Sequence, residues 1–403
     1  MSDFLTVQGR SIIRKKEKVR LCGVNLGGWL MMEGYILHSP NRPVAVFKNT
    51  LKKFLGPRNC HELEVAFREN FIAEDDFRQI SGLGWNCVRV PFHYGLIEKK
   101  PYCYDPEGVA VLDRVIAWAK RFRLWVILDL HAACGSQNHD WHSDSRGKAA
   151  LWTKPSCQRR TRALWTFLAS RYREEPTIAG YDLLNEAVVA DSGRITEFYQ
   201  KLIQDIREVD PHHIIFAEGN SWATDLSCLD TLRDPNLVYS VHAYEPLDFT
   251  FNFVPSLRYP LKNSGGKGCF TKASLRRILS RHRDFAESRQ RPLLVGEFGV
   301  NYRDGLYGEA RWLEDILDVF HEFDFHWTYW TYKAVKNAVF PDGVFSYYGN
   351  PPWVRREGPL LGWDNYAGTW LQHRDAMIRS WRTRDFKPNR EIITVIKKAV
   401  RRS

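Results

Sequence analysis

The sequence predicts an α/β fold, the (β/α)8 barrel, and three observations support this class. Eight short apolar runs recur along the chain, with amphipathic helical stretches between them. Polar side chains follow the point where each run stops, and parallel barrels collect such groups at the carboxyl ends of their strands. The chain has 403 residues, enough for one barrel with long loops. We therefore expect a single domain over residues 1–403, with long βα loops on the face that carries the polar groups.

The predicted strands lack a polar face, as is typical of strands buried on both sides. They cover 19–24, 85–90, 124–130, 179–184, 214–217, 237–241, 293–295 and 327–330. Helices are predicted between them, for example over 109–122 and 196–209, where apolar residues recur every three to four positions. A basic amphipathic helix is expected at about 388–402, because Ile392, Val395 and Ile396 alternate with cationic residues.

Polar groups at the strand ends indicate an active site, because random placement would scatter them over both strand ends and the helices. In strand order they are Asn25, Arg89, Asp129 with His131, Asn185 with Glu186, Glu218, His242 with Tyr244, Glu297 and Trp330. Long segments after strands, at 33–69, 132–155, 245–271 and 333–370, are expected to be loops that form the walls of a pocket or cleft. Glu186 and Glu297 are the leading candidates for reactive groups, since two carboxylates that face each other across a sugar ring perform glycoside hydrolysis.

Six short motifs in order give the chain a resemblance to glycoside hydrolase family 5. They are Arg89-Val-Pro91, Asp129-Leu-His131, Leu184-Asn-Glu186, His242-Ala-Tyr244, Gly296-Glu-Phe-Gly299 and Trp327-Thr-Tyr-Trp330. The resemblance spans nearly the whole chain and implies a clan that places its two glutamates on strands four and seven. The segments Gly23-Val-Asn-Leu-Gly-Gly-Trp-Leu30 and Gly135-Ser-Gln-Asn138, with Glu33, look most similar to the branch of exo-β-1,3-glucanases and β-glucosidases.

The resemblance assigns a role to each site residue. It implies Glu297 as nucleophile and Glu186 as acid/base, with Arg89 and Tyr244 beside the nucleophile and His242 beside the acid/base. It further implies that Asn185 holds the sugar 2-hydroxyl, His131 contacts the 3-hydroxyl region and Trp330 forms the floor for the ring. Glu33 is expected at the 4- or 6-hydroxyl, and Asn138 among the substrate-binding and supporting residues.

A retaining mechanism needs one ionised and one protonated carboxyl, so their environments must differ. We expect Glu297 to be kept ionised by Arg89 and Tyr244. We expect the pKa of Glu186 to be raised by the nearby charge of Glu297 and by shielding tryptophans. Glu218 and Glu245 are rival carboxylates, for which structural pairing is the favoured role.

The predicted activity is that of a retaining β-glycosidase that hydrolyses β-linked glucosides and acts on β-glucan oligosaccharides from one end. Neither a cofactor nor a metal is expected. The stretch 138–142 could hold a metal, but a loop that contacts substrate is favoured. A glucosidase for lipid-linked sugars, such as steryl glucosides or glycosylceramides, is an alternative. It is suggested by the basic tail and by an aromatic segment at 247–254. A non-catalytic carbohydrate-binding barrel is disfavoured because the chain keeps both carboxylates.

Charge and cysteine content indicate which partners and which cellular location to expect. The formal net charge is +11, and residues 376–403 contribute +7 of it. No nucleic-acid-binding motif accompanies this charge, so we expect no nucleic-acid partner, a monomer, and at most a weak membrane-surface contact of the tail. No apolar stretch is long enough to span a membrane. Eight scattered cysteines and an opening Met-Ser-Asp-Phe without a signal predict a cytoplasmic protein, although secretion stays open if a leader has been removed.

Overall fold

The predicted barrel is confirmed. A computed structural model of the chain describes residues 3–37, 39–261, 269–336, 338–347 and 363–402. Eight parallel strands close into a barrel in which each strand pairs with the next along the chain and the eighth pairs with the first. In chain order, the first to eighth barrel strands are Cys22–Asn25, Cys87–His93, Trp125–Ala132, Ile178–Asp182, Ile214–Glu218, Leu237–His242, Leu293–Phe298 and His326–Tyr329.

Helices surround the barrel and bury one apolar side against it. They are Val44–Phe71, Glu74–Gly82, Pro106–Arg121, Pro155–Tyr172, Gly193–Val209, Lys272–Ser288, Glu309–Glu322, Trp363–Trp381 and Arg390–Val400, with single helical turns at Tyr94–Ile97, Asn220–Ala223 and Leu247–Thr250. The start of the helix Pro106–Arg121 shows how the sequence sets such boundaries. Asp105 accepts a hydrogen bond from the Glu107 N–H, and proline occupies the first turn, where its missing N–H costs nothing.

A three-stranded antiparallel sheet lies before the barrel and was not predicted. Its strands are Thr6–Gln8, Ser11–Arg14 and Glu17–Val19. Two-residue turns connect them, with Gly9 (φ 58°) in the first and Lys15 and Lys16 (φ 51° and 76°) in the second. Such turns match the right-handed twist of a hairpin, but two lysines are an unusual choice for this conformation, so the sequence signal was weak. Leu5 and Ile12 of this region join an apolar cluster with barrel residues.

The prediction of a loop over 33–69 is wrong for most of its length. The helix Val44–Phe71 occupies it and packs against the helix Trp363–Trp381. Its buried residues Phe47, Leu51 and Leu55 have helical spacing. Gly56, at φ 74°, and Pro57 interrupt this spacing, so the sequence did not indicate a helix. The predicted loop over 333–370 contains short strands at Lys333–Val335 and Phe345–Tyr347, and the prediction is wrong for 363–370, which belong to the helix Trp363–Trp381. Residues 337 and 348–362 lie outside the described ranges.

The C-terminal helix spans Arg390–Val400 and is part of the packed domain. Ile392, Val395 and Ile396 are buried, and the helix lies against Glu309–Glu322. On its polar side, Lys398 and Arg402 pair with acidic residues of that neighbouring helix. All eight cysteines are free thiols. Within the described ranges, none of the helices combines the length and the apolar character that crossing a bilayer requires.

Candidate active site

Glu186 and Glu297 meet at the carboxyl end of the barrel. Glu186 follows the fourth strand and Glu297 lies in the seventh strand. One carboxylate oxygen of each residue and one ring nitrogen of His242 all lie within 4.8 Å of one another. The two glutamates are distant in the chain, and they come together because all barrel strands run parallel and end on one face.

Two donors hold Glu297, one on each carboxylate oxygen. Arg89 Nη1 donates to Oε1 at 2.8 Å, and the Tyr244 hydroxyl donates to Oε2 at 2.8 Å. Burial raises the pKa of Glu297 above its usual value, although the charges of His242 and Arg89 act in the opposite direction. The carboxyl is therefore fixed in orientation, and its proton affinity is a balance between burial and neighbouring cations.

Arg89 lies at the centre of a buried charge network. It is fully buried in the second strand and contacts four carboxylates, at 2.8 Å in Glu297, 2.9 Å in Asp182, 2.9 Å in Glu218 and 3.2 Å in Asp129. Burial alone would lower the pKa of Arg89, but these carboxylates raise it well above the usual arginine value. A planar guanidinium can donate to several acceptors at once, so one cation joins strands two, three, four, five and seven.

The backbone of Glu186 is held in an unusual conformation. Its φ is 49°, in the left-handed region that costs a residue with a side chain about 1–3 kcal/mol. Two contacts hold it there. The Glu186 N–H donates to Glu218 Oε2 at 2.6 Å, and its carbonyl accepts a 2.9 Å hydrogen bond from Asn138 Nδ2. Glu218 thus has the structural pairing expected for it, and Asn138 supports the turn that presents Glu186.

The Glu186 carboxylate lies between two histidines. His242 Nδ1 is 2.7 Å from Oε1, and His142 Nε2 is 3.5 Å from Oε2. Burial raises the pKa of Glu186, but the hydrogen bond and charge of His242 and the charge of His142 outweigh burial and lower it overall. Our expectation of a raised pKa is therefore wrong for the unliganded site. It counted the charge of Glu297 and the shielding by tryptophans, but not the hydrogen bond and charge of His242 or the smaller effect of the His142 charge.

The two carboxyls open into a cavity of about 640 Å³. Seven of the predicted residues line it: Glu33, His131, Glu186, His242, Tyr244, Glu297 and Trp330. The rest of the wall comes from loop residues, among them Tyr35, Asp140, Trp141, His142, Trp222, Glu245, Leu247, Phe251 and Phe340. The walls are rich in aromatic side chains, which suits a sugar because a pyranose presents an apolar face to a stacked ring.

His131, Trp330 and Glu33 form one part of the cavity wall. The His131 ring stacks on Trp330 with centroids 5.5 Å apart and an interplanar angle of 10°. His131 Nδ1 lies 2.7 Å from Asp129 and Nε2 lies 3.3 Å from Glu33. Burial lowers the pKa of His131, but Asp129 and Glu33 outweigh it and raise the pKa to about 10. His131 is therefore a charged donor at neutral pH.

Aromatic residues extend the same part of the cavity wall. Tyr35 packs against Phe340 with centroids 4.9 Å apart and against Trp141 at 6.2 Å, and its hydroxyl contacts Trp330 Nε1. These three rings come from the loops after strands one, eight and three. None was predicted, although Tyr35 lies two residues after Glu33 and Trp141 lies within the ambiguous 138–142 stretch.

Three predicted site residues lie behind the cavity wall. Arg89, Asn138 and Asn185 are fully buried and are absent from the lining. Asn185 Oδ1 accepts a 2.9 Å hydrogen bond from Arg89, and its Nδ2 is 3.5 Å from His131 Nε2. The rival carboxylate Glu245 does line the cavity, and burial raises its pKa.

A metal could be held only where several ligand atoms converge. Among the described residues, one group of histidine and acidic side chains has such spacing: Glu186, His242 and Glu297. These atoms already bond to one another or to Arg89 and Tyr244. The stretch 138–142 forms no such group within the described ranges. That the protein needs neither metal nor cofactor stays a prediction.

A (β/α)8 barrel with one carboxylate after strand four and one on strand seven, side by side in an aromatic cavity, defines a retaining glycoside hydrolase. Residues 49–336 match the family described as Cellulase (glycosyl hydrolase family 5). The chain belongs to glycoside hydrolase family 5, which confirms the resemblance seen in the motifs, and it is a retaining β-glycosidase.

Named relatives differ in their activities. The chain is 32% identical to a β-xylosidase of Phanerodontia chrysosporium over 348 residues, which cover 82% of this chain and 71% of the relative. It is 29% identical to endoglucanase C of Acetivibrio thermocellus over 303 residues, 68% of this chain and 87% of the relative. It is also 30% identical to a probable glucan 1,3-β-glucosidase A of Aspergillus clavatus over 253 residues, 61% of this chain and 60% of the relative.

Solved structures agree on the fold. A crystal structure of a glycoside hydrolase superposes with a TM-score of 0.64 at 19% identity, covering 94% of this chain and 99% of the other. Endoglucanase Cel5A of Thermotoga maritima gives a TM-score of 0.59 at 20% identity, with 81% and 92% covered.

Proposed function

We propose that the enzyme is an exo-acting β-glucosidase that removes glucose from the end of β-glucan oligosaccharides. The observation that carries this proposal is a packed aromatic wall of the cavity, where Tyr35 contacts Trp141, Phe340 and the predicted sugar-floor residue Trp330. A polymer bound along an open cleft would need space on both sides of the reacting carboxyls. Packed rings on one side favour a substrate whose chain ends there.

The proposed reaction is a double displacement on Glu297 and Glu186. In the first step, a Glu297 oxygen attacks the anomeric carbon while Glu186 gives its proton to the departing oxygen, so the glycosidic bond breaks as a glycosyl ester forms. In the second step, water attacks the same carbon, Glu186 takes a proton from it, and the ester bond breaks. The separation of the two carboxyls supports this, since retaining enzymes hold them about 5–5.5 Å apart.

In the free site the pKa directions are opposite to those that the first step needs, because the pKa of Glu186 is lowered and that of Glu297 is raised. Glu186, Glu297 and His242 lie close enough to titrate as one unit. The reactive form, with Glu297 ionised and Glu186 protonated, is one microstate of that unit. Arg89 and Tyr244 favour it because both bind the ionised carboxylate of Glu297.

The sugar would be bound by polar residues of the cavity wall. The Glu33 carboxylate pairs with His131 through Oε1 but has further acceptor sites, so it can accept a hydrogen bond from a 4- or 6-hydroxyl. His131 would contact the 3-hydroxyl by sharing its Nε2 donor between Glu33 and the sugar, and its partner Trp330 supplies an apolar floor. Asn185, just behind His131, is proposed to reach the 2-hydroxyl, whose hydrogen bond strengthens in the transition state.

Substitution of each carboxylate tests the chemical roles. We expect Glu297→Ala to abolish turnover, with no rescue of retaining hydrolysis by azide or formate. We expect Glu186→Ala to keep activity mainly on substrates with good leaving groups, which need no proton. Glu245→Gln, a third carboxylate on the cavity wall, is the matched control and should remain close to wild type. Near-normal turnover of both Ala variants would disprove the assignment, and proton NMR of the first-formed anomer checks retention.

Product analysis tests the direction of attack. We expect laminari-oligosaccharides labelled at the reducing end to release single glucose units first, with the label remaining on the shortened chain. Release of longer internal fragments at early times would show an endo-acting enzyme instead. A panel of aryl β-glucoside, xyloside, mannoside, galactoside and cellobioside tests the sugar in the same experiment.

A second candidate substrate is a lipid-linked glucoside. The observation that favours it is a group of exposed apolar side chains on and beside the cavity wall. Leu247 is 47% exposed, Phe253 49%, Val254 38% and Trp222 40%. Leu247 and Trp222 also line the cavity, so the apolar lipid aglycone would lie against them. Rates on a steryl glucoside or glycosylceramide, compared with laminari-oligosaccharides, discriminate between the two substrates. A monomeric state, the lack of a nucleic-acid partner and a cytoplasmic location stay predictions.

A further inference from the structure

The loop after the third strand contributes a pair of side chains to the acid/base that sequence reasoning did not assign. His142 lies between two carboxylates, with Nε2 3.7 Å from Asp140 Oδ2 and 3.5 Å from Glu186 Oε2. The His142 side chain is 14% exposed and lines the cavity, so it is held in place while facing the substrate space. Glu186 therefore has an imidazole on each of its two oxygens, His242 on one and His142 on the other.

Asp140 also holds a wall of the cavity. Its Oδ2 accepts a 2.7 Å hydrogen bond from the indole N–H of Trp222, a ring of the cavity wall. The neighbouring His142 and the Trp222 hydrogen bond lower the pKa of Asp140 to about 2, so its carboxylate stays ionised. Burial lowers the pKa of His142, but Asp140 and the charges of Glu186 and Glu33 raise it overall. The aspartate thus links Trp222 of the cavity wall to the imidazole beside the acid/base.

We propose that Asp140 and His142 form a positioning pair that controls when Glu186 carries its proton. A positive His142 attracts the ionised form of Glu186, so it limits the pH range over which Glu186 can act as an acid. The same attraction favours ionised Glu186 in the second step, where it must accept a proton from water. His142 then acts through Glu186 and needs no direct contact with the reacting atoms.

Other charged groups around the pair enter the balance and come from several elements. Around Glu186 are His242 on the sixth strand, Glu297 on the seventh and Glu218 on the fifth. Around His142 are Asp140, Glu186, Glu33 and His131. These groups remain when His142 is replaced, so the effect of His142 appears as a displacement of the Glu186 titration and not as its loss.

The inference rests on the proposed acid/base role of Glu186 but not on exo action or on glucose. It can therefore be tested with any aryl β-glycoside that the enzyme cleaves. The decisive measurement is kcat/KM against pH for two substrates with the same sugar, one with a phenyl and one with a dinitrophenyl leaving group. Only the phenyl glycoside needs proton donation, so only its profile should lose activity as pH rises through the Glu186 titration.

We expect His142→Gln to move this alkaline limb upward by about one pH unit with the phenyl glycoside, because removal of a nearby cation makes Glu186 hold its proton longer. Asp140→Asn should move the limb in the same direction, since His142 then loses the charge that keeps it protonated. The double variant should move it no further than the larger single shift. With the dinitrophenyl glycoside the variants should show no such movement, which a merely structural defect would not explain.

His61→Gln is the matched control, because His61 is a 58% exposed histidine of the helix Val44–Phe71 and does not line the cavity. An unchanged alkaline limb in both His142→Gln and Asp140→Asn would overturn the inference. An equal displacement in His61→Gln, or with both leaving groups, would overturn it as well. If wild-type profiles for the two leaving groups already coincide, the acid/base role of Glu186 fails first, so the two failures are distinguishable.

Discussion

Replacing Tyr244 by phenylalanine removes the hydroxyl that donates a 2.8 Å hydrogen bond to Glu297 Oε2. The donor stabilises the ionised carboxylate, so its loss should raise the pKa of Glu297 further above its usual value. Glu297 must be ionised to attack, and activity is lost as pH falls through its pKa. The acid limb of kcat/KM should therefore move upward in the variant.

The size of the shift follows from the bond that is lost. A hydrogen bond to a charged group contributes about 1.5–3 kcal/mol. Arg89 still holds the other oxygen at 2.8 Å, so we take the lower value. At about 1.4 kcal/mol per pH unit, this is a shift of roughly one unit. Below the limb, the rate should fall about tenfold, with a smaller change on the plateau.

The assay is kcat/KM of an aryl β-glucoside across the acid limb for wild type and Tyr244→Phe. Tyr35→Phe is the control, because Tyr35 is a second buried tyrosine of the cavity wall whose hydroxyl contacts Trp330. Thermal unfolding of each variant checks that the fold is intact. An acid limb that stays in place, moves downward, or moves equally in the control would refute the reasoning.

Three further perturbations test the packing and charge of the barrel. Arg89→Met leaves its buried carboxylates without a cation, so the free energy of unfolding should fall by about 3–5 kcal/mol in denaturant titrations, and unchanged stability would contradict the network. Burial lowers the pKa of Lys333 to about 8 from the usual 10.5. As pH rises from 8 to 10.5, the free energy of unfolding of wild type should therefore increase by about 3 kcal/mol relative to Lys333→Met. A difference between the two proteins that does not change with pH would refute the shift. Ile396→Ala should lower the free energy of unfolding by about 2–5 kcal/mol without changing KM. Lys397→Ala, at an exposed position of the same helix, should lower it little. Equal effects of the two substitutions would mean that the C-terminal helix is not packed on the domain.

The barrel strands were predictable because a strand buried on both faces appears in the sequence as a run of apolar residues. The candidate reactive residue lies at the carboxyl end of that run. Glu186, Glu297 and Arg89 were found in this way. The helix Val44–Phe71 was missed because Gly56 and Pro57 break its pattern, while tertiary packing against a distant helix restores it. The periodicity of a local sequence does not show which distant helix will pack against it.

The rest of the site depends on contacts between loops, which no local pattern encodes. Tyr35, Trp141 and Phe340 meet only because three loops fold toward one another. The same holds for His142, whose charge adds to the effect of His242 in lowering the pKa of Glu186. A charge estimate made from strand ends alone omits every ionisable group that a loop brings in.

The cation at the centre of the barrel has a consequence for how this scaffold can change. Arg89 ties its carboxylates together from strand positions, whereas Tyr35, Trp141, Trp222 and Phe340 belong to connecting segments. Exchanging those segments would reshape the cavity around a new sugar or aglycone, while Arg89 and its carboxylates stay in place. The relatives named β-xylosidase, endoglucanase C and probable glucan 1,3-β-glucosidase A illustrate the variety of named activities that such an arrangement permits.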